Sequence, residues 1–390
     1  MSNRYNRIVF KVGTNLLTSG NDRLDPAVLS RLVSQVVELH KAGVQTVIVS
    51  SGAIAAGEEA LGATKGRKDI PYKQVLAAVG QSRLMHRYQE LFQERGIQVA
   101  QALITKGDLD NREGYLNVRN TLEGLLDLGV VPIINENDVV DVREIAEIVF
   151  GDNDSLSAAV ANLVDADLLV LLTDIDGLYT SDPRRNLHAE LIHRVEQIDE
   201  RIETLAGGVG SRRGRGGMMT KIEAAKVATA AGVTVVIASG HVPSALLRLA
   251  TGEAIGTLFV PTGDRIASRR RWLLSGLGSK GRITVDAGAA RALCQDNRSL
   301  LPAGISGVSG GFARGDVVDI CDGDGVRLAS GLAQYTAADV SKIKGARTGN
   351  IVKKLGYKYG DEVVHRNDMV LITPPNGSGS GGHDTKEMDQ

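Results

Sequence analysis

The sequence predicts an α/β fold: a mainly parallel sheet with helices on both faces, forming a three-layer αβα sandwich, followed by a small, mostly β domain. Two observations predict it. Short apolar strands alternate with amphipathic helices up to Pro261, which is typical of parallel sheets covered on both faces. After Pro261 the chain changes to short strands and turns, with strands predicted at Arg282–Val285, Gly304–Val308, Asp316–Ile320 and Gly331–Tyr335.

The elements of the first part follow from the residue pattern. Asp25 is placed to cap a helix that has Pro26 at its first position and ends at Gly43. Helices are also predicted over Lys73–Arg95, over Ser155–Leu163 and after Lys221. The predicted strands are the apolar runs Ile8–Phe10, Thr46–Val49, Val99–Thr105, Val130–Ile134, Leu168–Leu172 and Val233–Ala238.

Composition narrows the class of protein. The 390 residues carry a formal net charge of −1, which predicts neither a nucleic-acid partner nor a membrane surface as partner. Cys294 and Cys321 are the only cysteines, so a disulfide framework is excluded and a reducing compartment is favoured. There is no signal-peptide pattern and no apolar run long enough to span a membrane. We therefore expect a soluble, cytoplasmic protein.

Polar and glycine residues follow several predicted strands directly. The carboxyl ends of parallel strands meet at one edge of a sheet, where α/β proteins bind ligands. Ordinary turn chemistry would also place such residues there, but a lysine and several carboxylates among them favour a site. These segments are Lys11–Thr14, Ser50–Gly52, Asn135–Asp138, Thr173–Asp174 and Ser239–Gly240.

The stretch Gly207–Lys221, GGVGSRRGRGGMMTK, combines glycine with arginine and leads into a run of high helix propensity. Glycines let a backbone approach a phosphate closely, and a helix N-terminus attracts anions. A flexible linker would have a similar composition. Together with the strand-end residues, the stretch favours an anion-binding loop that is mobile without its ligand and ordered with it.

Missing motifs exclude other kinds of site. The sequence has no G-x-x-x-x-G-K-[ST] motif and no G-x-G-x-x-G after the first strand, and its histidines lack metal-ligand spacing. Lys11 and Lys221 each lie near glycines, and Asp154 is the candidate to hold both lysine side chains. This set suits phosphoryl transfer, which depends mainly on positive charge around the migrating group.

A carboxylate acceptor is ionised at neutral pH and needs only positioning donors, whereas a hydroxyl acceptor would call for a general base. Ser51, Asn135 and Asn153 could supply such donors, together with backbone N–H groups. An amino group on the substrate would pair with Asp138 or Asp152. Spacing alone does not prove these pairings.

Seven motifs occur in an order that resembles a known family: KVGT at Lys11, VSSGAIAAG at Val49, LAAVGQSRL at Leu76, PIINEND at Pro132, FGDND at Phe150, LLTDIDGLYTSDPR at Leu171 and GGMMTK at Gly216. They resemble the glutamate 5-kinases of the amino-acid kinase family. Gly281–Leu371 resembles the PUA domain found at the C-terminus of many members. KVGT and LTD alone would fit several kinases, but the combination of SSGAIAAG, NENDV and GDND is specific.

The resemblance implies transfer of the γ-phosphoryl group of ATP to the side-chain carboxylate of L-glutamate, the first step of proline biosynthesis, with Mg²⁺ arriving with ATP. It also implies feedback inhibition by proline and a homo-oligomer, a dimer or a tetramer. Lys11 and Lys221 match the lysines that act on the phosphoryl group, and Asp154 matches the aspartate that orders them. The positions that match glutamate-binding residues, or lie close to them, are Ser51, Asn135, Asp138, Asp152 and Asn153; the nucleotide-binding set is Lys11, Thr173, Asp174, Arg215, Gly216, Gly217, Met218, Met219, Thr220 and Lys221.

Two departures from the family pattern leave details open. Arg215 stands where threonine is usual, and Val139–Val149 is longer than in compact members. A sibling kinase that acts on another carboxylate is the alternative enzyme. An RNA-binding regulator is the alternative from another class, although the C-terminal domain has few aromatic residues and the chain is not basic.

The predicted domain bounds complete the sequence picture. The kinase domain is predicted over residues 1–262, a linker over 263–280 and the PUA domain over 281–372. The last segment, 373–390, is rich in Pro, Gly, Ser and Asp and is predicted to be a disordered tail.

Overall fold

The computed structural model describes residues 3–62, 69–141, 153–207, 217–263 and 279–372. The chain divides into two compact units, Met1–Ser268 and Arg269–Gln390. The sequence-derived bounds of domains, linker and tail stay a prediction, and the tail and most of the linker lie outside the described residues. Within the described ranges, no helix is long and apolar enough to cross a membrane.

An eight-stranded sheet forms the centre of the first unit, with strand order β3-β4-β2-β1-β5-β7-β8-β6. Its strands are β1 Arg7–Val12, β2 Gln45–Ser50, β3 Val99–Ile104, β4 Val131–Glu136, β5 Leu168–Thr173, β6 Arg194–Val195, β7 Thr234–Ser239 and β8 Thr257–Phe259. The described helices are α1 Thr14–Leu17, α2 Pro26–Lys41, α3 Ala53–Leu61, α4 Ile70–Gln93, α5 Lys106–Asp110, α6 Arg112–Asp127, α7 Asn153–Leu163, α8 Glu200–Gly207, α9 Gly217–Ala230 and α10 Ala245–Ala250.

The sheet is mainly parallel and is buried on both faces. β1 pairs in parallel with β2 on one side and with β5 on the other, and β7–β8 is an antiparallel pair near the edge. Side chains along β1 alternate between two hydrophobic cores: Ile8 and Phe10 belong to one, and Val9 belongs to the other. The predicted three-layer αβα class is therefore confirmed.

Several predicted helix bounds shift because caps decide them. The Asp25 side chain accepts hydrogen bonds from two backbone N–H groups at the start of α2, as predicted. α4 begins at Ile70 rather than Lys73, because Asp69 is its N-cap and proline occupies its first turn. Among the described helices that were not predicted, α3 and α6 are the longest. α3 has four alanines among its nine residues, and α6 begins at an Asn111 cap that the sequence reasoning overlooked.

Helices α3 and α4 cross at very short range through two glycines. A Cβ atom on Gly80 would lie 1.7 Å from the Ala53 carbonyl oxygen, and one on Gly57 would lie 2.0 Å from the Leu76 carbonyl oxygen. No side chain fits at either glycine, because both obstructions are backbone atoms. The crossing therefore fixes α4 against the segment that follows β2.

The second unit has a five-stranded sheet of order β10-β9-β11-β12-β13, which confirms a mostly β domain. Three short helices accompany the strands, and the strand predicted at Gly331–Tyr335 ends at Leu332. The elements are β9 Gly281–Val285, α11 Ala287–Cys294, β10 Ile305–Gly310, β11 Val317–Cys321, β12 Arg327–Leu332, α12 Ala337–Ile343, α13 Ile351–Leu355 and β13 Met369–Leu371, with short 3-10 turns at Pro302–Gly304, Thr348–Asn350 and Arg366–Asp368.

Substituting Gly80 by alanine should destabilise the first unit by at least about 3 kcal/mol, because the added methyl overlaps backbone atoms. Gly124 is the matched control: it lies in α6, is exposed, and would meet nothing within 4 Å. Gly124→Ala should leave stability unchanged or raise it by about 0.5–1 kcal/mol. Urea unfolding of the two variants measures the difference, and equal stabilities would contradict the close crossing.

Candidate active site

Lys11, Asp154 and Lys221 form a buried ion-pair cluster at the carboxyl end of the central strands. Lys11 Nζ lies 2.7 Å from Asp154 Oδ1, and Lys221 Nζ lies 3.1 Å from Asp154 Oδ2. The side-chain exposures are 1% for Lys11, 0% for Asp154 and 8% for Lys221. The hydroxyl of Thr220 also donates to Asp154 Oδ2, at 2.8 Å. One carboxylate thus holds two lysine side chains.

The elements around the sheet explain how residues so distant in sequence meet. Lys11 lies in β1, paired with Val49 on one side and Leu171 on the other. Asp154 lies in the first turn of α7, which begins two residues earlier than predicted. Lys221 was predicted at a helix start, but α9 begins at Gly217. The lysine is one turn inside the helix, and its Nζ donates back to the Gly217 carbonyl at 3.0 Å.

The two ammonium groups keep the Asp154 carboxyl ionised. Burial alone would raise the pKa of Asp154, but the charges of Lys11 and Lys221 and the hydrogen bonds from Lys11 and Thr220 hold it below its ordinary value. Buried charges are costly unless they are paired, and the short contacts of Asp154 with both lysines meet that need.

Each ammonium group lies beside a residue that has no side chain. A Cβ atom on Gly13 would lie 3.6 Å from Lys11 Nζ, and one on Gly217 would lie 3.5 Å from Lys221 Nζ. The two glycines therefore keep bulky groups away from both cations. Such an opening lets the oxygens of a phosphate approach closely.

A second group of polar side chains continues from Asp154 through its neighbour Asn153. Asn153 Nδ2 donates to Asn135 Oδ1 at 3.0 Å, to Ser51 Oγ at 2.9 Å and to the Ser50 carbonyl at 3.1 Å. Asn135 Nδ2 in turn donates to Gln81 Oε1 at 2.8 Å. These neutral donors and acceptors lie over the ends of β2 and β4, next to the ion-pair cluster.

Sequence reasoning missed two residues of this group. Tyr88 is buried below Ser50, and the two hydroxyls lie 2.9 Å apart; burial raises the Tyr88 pKa to about 12, so its hydroxyl is neutral. Gln81 lies seven residues earlier on α4 and faces Asn135. Both follow Gly80 on the same helix, and Gln81 is part of the LAAVGQSRL motif, which could have pointed to it.

The Asp138 carboxyl is a weaker acid than an ordinary aspartate side chain. Burial, together with the negative charges of Glu136 and Asp141, raises the pKa of Asp138 to about 7. Its carbonyl and that of Val139 accept hydrogen bonds from Gln74 Nε2. A cation bound near this carboxyl would favour its ionised form.

The remaining predicted site residues lie in different parts of the chain. Thr173 ends β5 and Asp174 follows it; the Thr173 hydroxyl donates to the Asp174 carboxylate at 3.0 Å, and Asp174 is exposed. Met218 and Met219 are half-buried in the first turn of α9, and Met218 packs against the core. Asp152, Arg215 and Gly216, with the rest of residues 208–216 and residues 142–149, lie outside the described residues. Of the stretch predicted as a loop, Gly207 ends α8 and Gly217–Lys221 belong to α9.

Two arginines hold the opposite end of α7. Arg119 is buried, donates to the Leu163 carbonyl, and forms an ion pair with Asp165 at 2.8 Å. Arg7 donates to the Val164 carbonyl. Positive charge at a helix C-terminus is favourable, so α7 is anchored at the end remote from Asn153 and Asp154.

Known proteins resemble this chain over nearly its whole length. The model of the Amino acid kinase family matches residues 6–239, and that of the PUA domain matches residues 281–355. Three curated relatives are named glutamate 5-kinase. They are 51% identical in Dehalococcoides mccartyi (95% of this chain, 99% of the relative), 53% in Herpetosiphon aurantiacus (94% and 98%) and 48% in Geobacter sulfurreducens (94% and 97%).

A solved structure of UMP kinase from Bacillus anthracis aligns with a TM-score of 0.46 at 15% identity, over 66% of this chain and 97% of that chain. This weak likeness adds nothing to the assignment. The assignment stands on the family match and on about half of the residues being identical over nearly the whole length. The chain belongs to the amino acid kinase family, and within that family to the glutamate 5-kinases that carry a PUA domain.

Proposed function

We propose that the chain transfers the γ-phosphoryl group of ATP to the side-chain carboxylate of L-glutamate, giving γ-glutamyl phosphate and ADP. The observation that supports this most directly is the buried cluster of Lys11, Asp154 and Lys221, in which one carboxylate holds two ammonium groups. A migrating phosphoryl group has charge on its equatorial oxygens and on the attacking and leaving oxygens. Cations on two sides stabilise that distribution without a nucleophilic side chain.

In this mechanism the two lysines have different partners. Lys11 contacts the phosphoryl group while it is transferred, and Lys221 stabilises the leaving phosphate. Asp154 contacts neither the transferred phosphoryl group nor the leaving phosphate. It accepts hydrogen bonds from both ammonium groups and so keeps them in place. Thr220 supports Asp154 through its hydroxyl. The glutamate carboxylate attacks as an anion, so no proton has to be removed.

The hydrogen-bonded side chains around Asn153 are proposed to bind the phosphoryl acceptor. Ser51, Asn135 and Asn153 form one hydrogen-bonded unit adjacent to Asp154, and we assign them to glutamate. Asp138, with Asp152 as a further carboxylate, is assigned to the substrate ammonium. The adenine nucleotide is assigned to Thr173, Asp174 and the segment from Arg215 to Lys221.

Mg²⁺ is proposed to arrive with ATP. Mg²⁺ usually keeps several waters and binds through substrate phosphates and one or two carboxylates, so the phosphate oxygens of ATP would hold it here. When bound, it would neutralise part of the phosphate charge.

Three further properties belong to the same proposal. Proline has the α-carboxylate and amino group of glutamate without the reacting carboxylate, so we expect it to inhibit at or near the glutamate site. A homo-oligomer, dimer or tetramer, and a cytoplasmic location are expected from the family.

Trapping the product tests the reaction. With ATP, Mg²⁺ and hydroxylamine, L-glutamate should give γ-glutamyl hydroxamate, whereas aspartate and N-acetylglutamate should give little. A hydroxamate signal with one of the other acids and none with glutamate would replace glutamate as the substrate. No signal with any acid would reject the proposed reaction.

Substituting Lys221 by alanine should lower kcat by roughly 10²–10³-fold, the usual cost of removing one charge-stabilising donor, while KM for glutamate changes less than about threefold. Lys226 is the matched control, because it lies on the same helix but is exposed and paired with Glu203. Lys226→Ala should have wild-type kinetics. Equal losses of kcat and of glutamate affinity in Lys221→Ala would argue against its role at the phosphate.

Asp138 should make glutamate use depend on pH. Because its pKa is raised to about 7, only its ionised form attracts the substrate ammonium, and kcat/KM for glutamate should rise up to about tenfold per pH unit as the pH approaches 7 from below. Asp138→Asn should have a lower kcat/KM with no such rise. An unchanged profile in the variant would assign the titration to another group.

The raised pKa of Asp138 affects stability in the opposite direction, because rising pH lowers the free energy of unfolding. The folded-state pKa of Asp138 lies above its ordinary 3.8, so its contribution to folding is fully present below about pH 4 and is lost as the pH rises through about 7. Relative to Asp138→Asn, the wild type should therefore lose free energy of unfolding across that window. Urea unfolding at several pH values measures the difference.

A further inference from the structure

Three amide side chains connect the reacting end of the site to α4. Asn153 is the sequence neighbour of Asp154 and donates to Asn135 Oδ1 at 3.0 Å, and Asn135 Nδ2 donates to Gln81 Oε1 at 2.8 Å. Gln81 is thus the member farthest along this chain of hydrogen bonds from the lysines. Its position is at the end where the non-reacting part of the substrate would lie.

Within this series of linked amides, two polar atoms are buried without a hydrogen-bond partner among the described residues: Gln81 Nε2 and Asn153 Oδ1. Gln81 as a residue is only partly buried, so the unsatisfied atom faces inward while the rest of the side chain reaches the surface. A buried donor or acceptor left unsatisfied costs about 1–3 kcal/mol. Native proteins rarely retain such atoms except where a ligand or water satisfies them.

The two unsatisfied atoms have complementary chemistry. Gln81 Nε2 is a donor and calls for an anionic or carbonyl oxygen. Asn153 Oδ1 is an acceptor and calls for an N–H group, and the acidic Asp138 adds a demand for positive charge. An α-amino acid presents a carboxylate and an ammonium on one carbon, so a single ligand would satisfy both atoms.

The backbone of Gln81 is fixed by its neighbour. Gly80 contacts the backbone of α3 so closely that a Cβ atom there would overlap Ala53. The Asn135 bond then sets the orientation of the Gln81 amide, leaving its NH₂ group directed away from Asn135. A donor held in this way loses little conformational entropy when it binds a ligand.

We propose that Gln81 is a specificity residue that donates a hydrogen bond from its side-chain amide to the α-carboxylate of the amino-acid substrate. This inference rests on the proposed function and adds a residue to it. It explains why α4 belongs to the site although it lies far from the phosphoryl group. It also predicts discrimination against acids that lack an α-carboxylate.

Gln81→Glu is the informative variant. It keeps an oxygen to accept from Asn135 but replaces the NH₂ donor with a carboxylate oxygen, which repels the substrate carboxylate. The KM for L-glutamate should rise roughly 10- to 100-fold, the size expected for a lost charged hydrogen bond, with kcat and the KM for ATP within about threefold of wild type. Gln93→Glu is the control, because it makes the same charge change at an exposed position of α4 and should leave all constants unchanged.

Substrate analogues separate direct contact from structural support. 4-Aminobutyrate has the reacting carboxylate and the amino group but no α-carboxylate. Wild type should use it poorly, and Gln81→Glu should lose nothing further with it. Where turnover is too slow to assay, the inhibition constant of 4-aminobutyrate against glutamate gives the same comparison.

Equal losses by Gln81→Glu with glutamate and with 4-aminobutyrate would overturn the proposal, because Gln81 would then act only through Asn135. Unchanged glutamate KM in the variant would overturn it as well. Failure of wild type to phosphorylate glutamate is a separate result, which rejects the proposed function itself. A thermal-unfolding measurement without ligand verifies that the variant is folded in each case.

Discussion

The ion pairs of Asp154 with Lys11 and Lys221 are the interaction on which the rest of the first unit depends. Three charged side chains are removed from water, and their mutual attraction offsets a large desolvation cost only because their geometry is close. That geometry requires β1, α7 and α9 to lie in their places around the sheet. Lys11 and Lys221 are remote from each other in the chain, so their shared contact with Asp154 joins distant segments at this edge of the sheet.

The site combines three kinds of polar group. Lys11 and Lys221 are cations, Asn153 and Asn135 are neutral amides linked to each other, and Asp138 is a carboxyl of raised pKa. In the proposed mechanism, an amino acid with a second carboxylate would place its reacting oxygen toward the lysines and its ammonium toward Asp138. Selectivity in such a site depends on the distance between charged ends, because a shorter or longer acid leaves one polar group unsatisfied.

Sequence patterns predicted the fold class and many element positions, because apolar periodicity is set by burial and both faces of the sheet are covered. They also predicted Lys11, Asp154 and Lys221 as one unit, since glycines and strand ends mark that edge. They could not place α3, because its alanine-rich sequence has no strong apolar stripe. They also could not place the start of α9 at Gly217. Gln81 escaped notice because a glutamine within a helix has no distinctive spacing, and only its bond to Asn135 shows where it points. The fold class and the family are confirmed, while the assigned roles of the site residues stay proposals.

The central position of β1 has a consequence for how activity is acquired during folding. Its parallel partners are β2 and β5, so Ile8 pairs with Thr46 on one side and with Leu168 on the other. Closing the second pairing brings together segments that are remote in the chain, which is slow because much chain entropy is lost before contacts compensate. The ion-pair cluster draws on β1, α7 and α9, so it is complete only when all three have taken their places. Recovery of the cluster therefore reports the assembly of these elements, and a fragment that ends before α9 lacks one of the two cations.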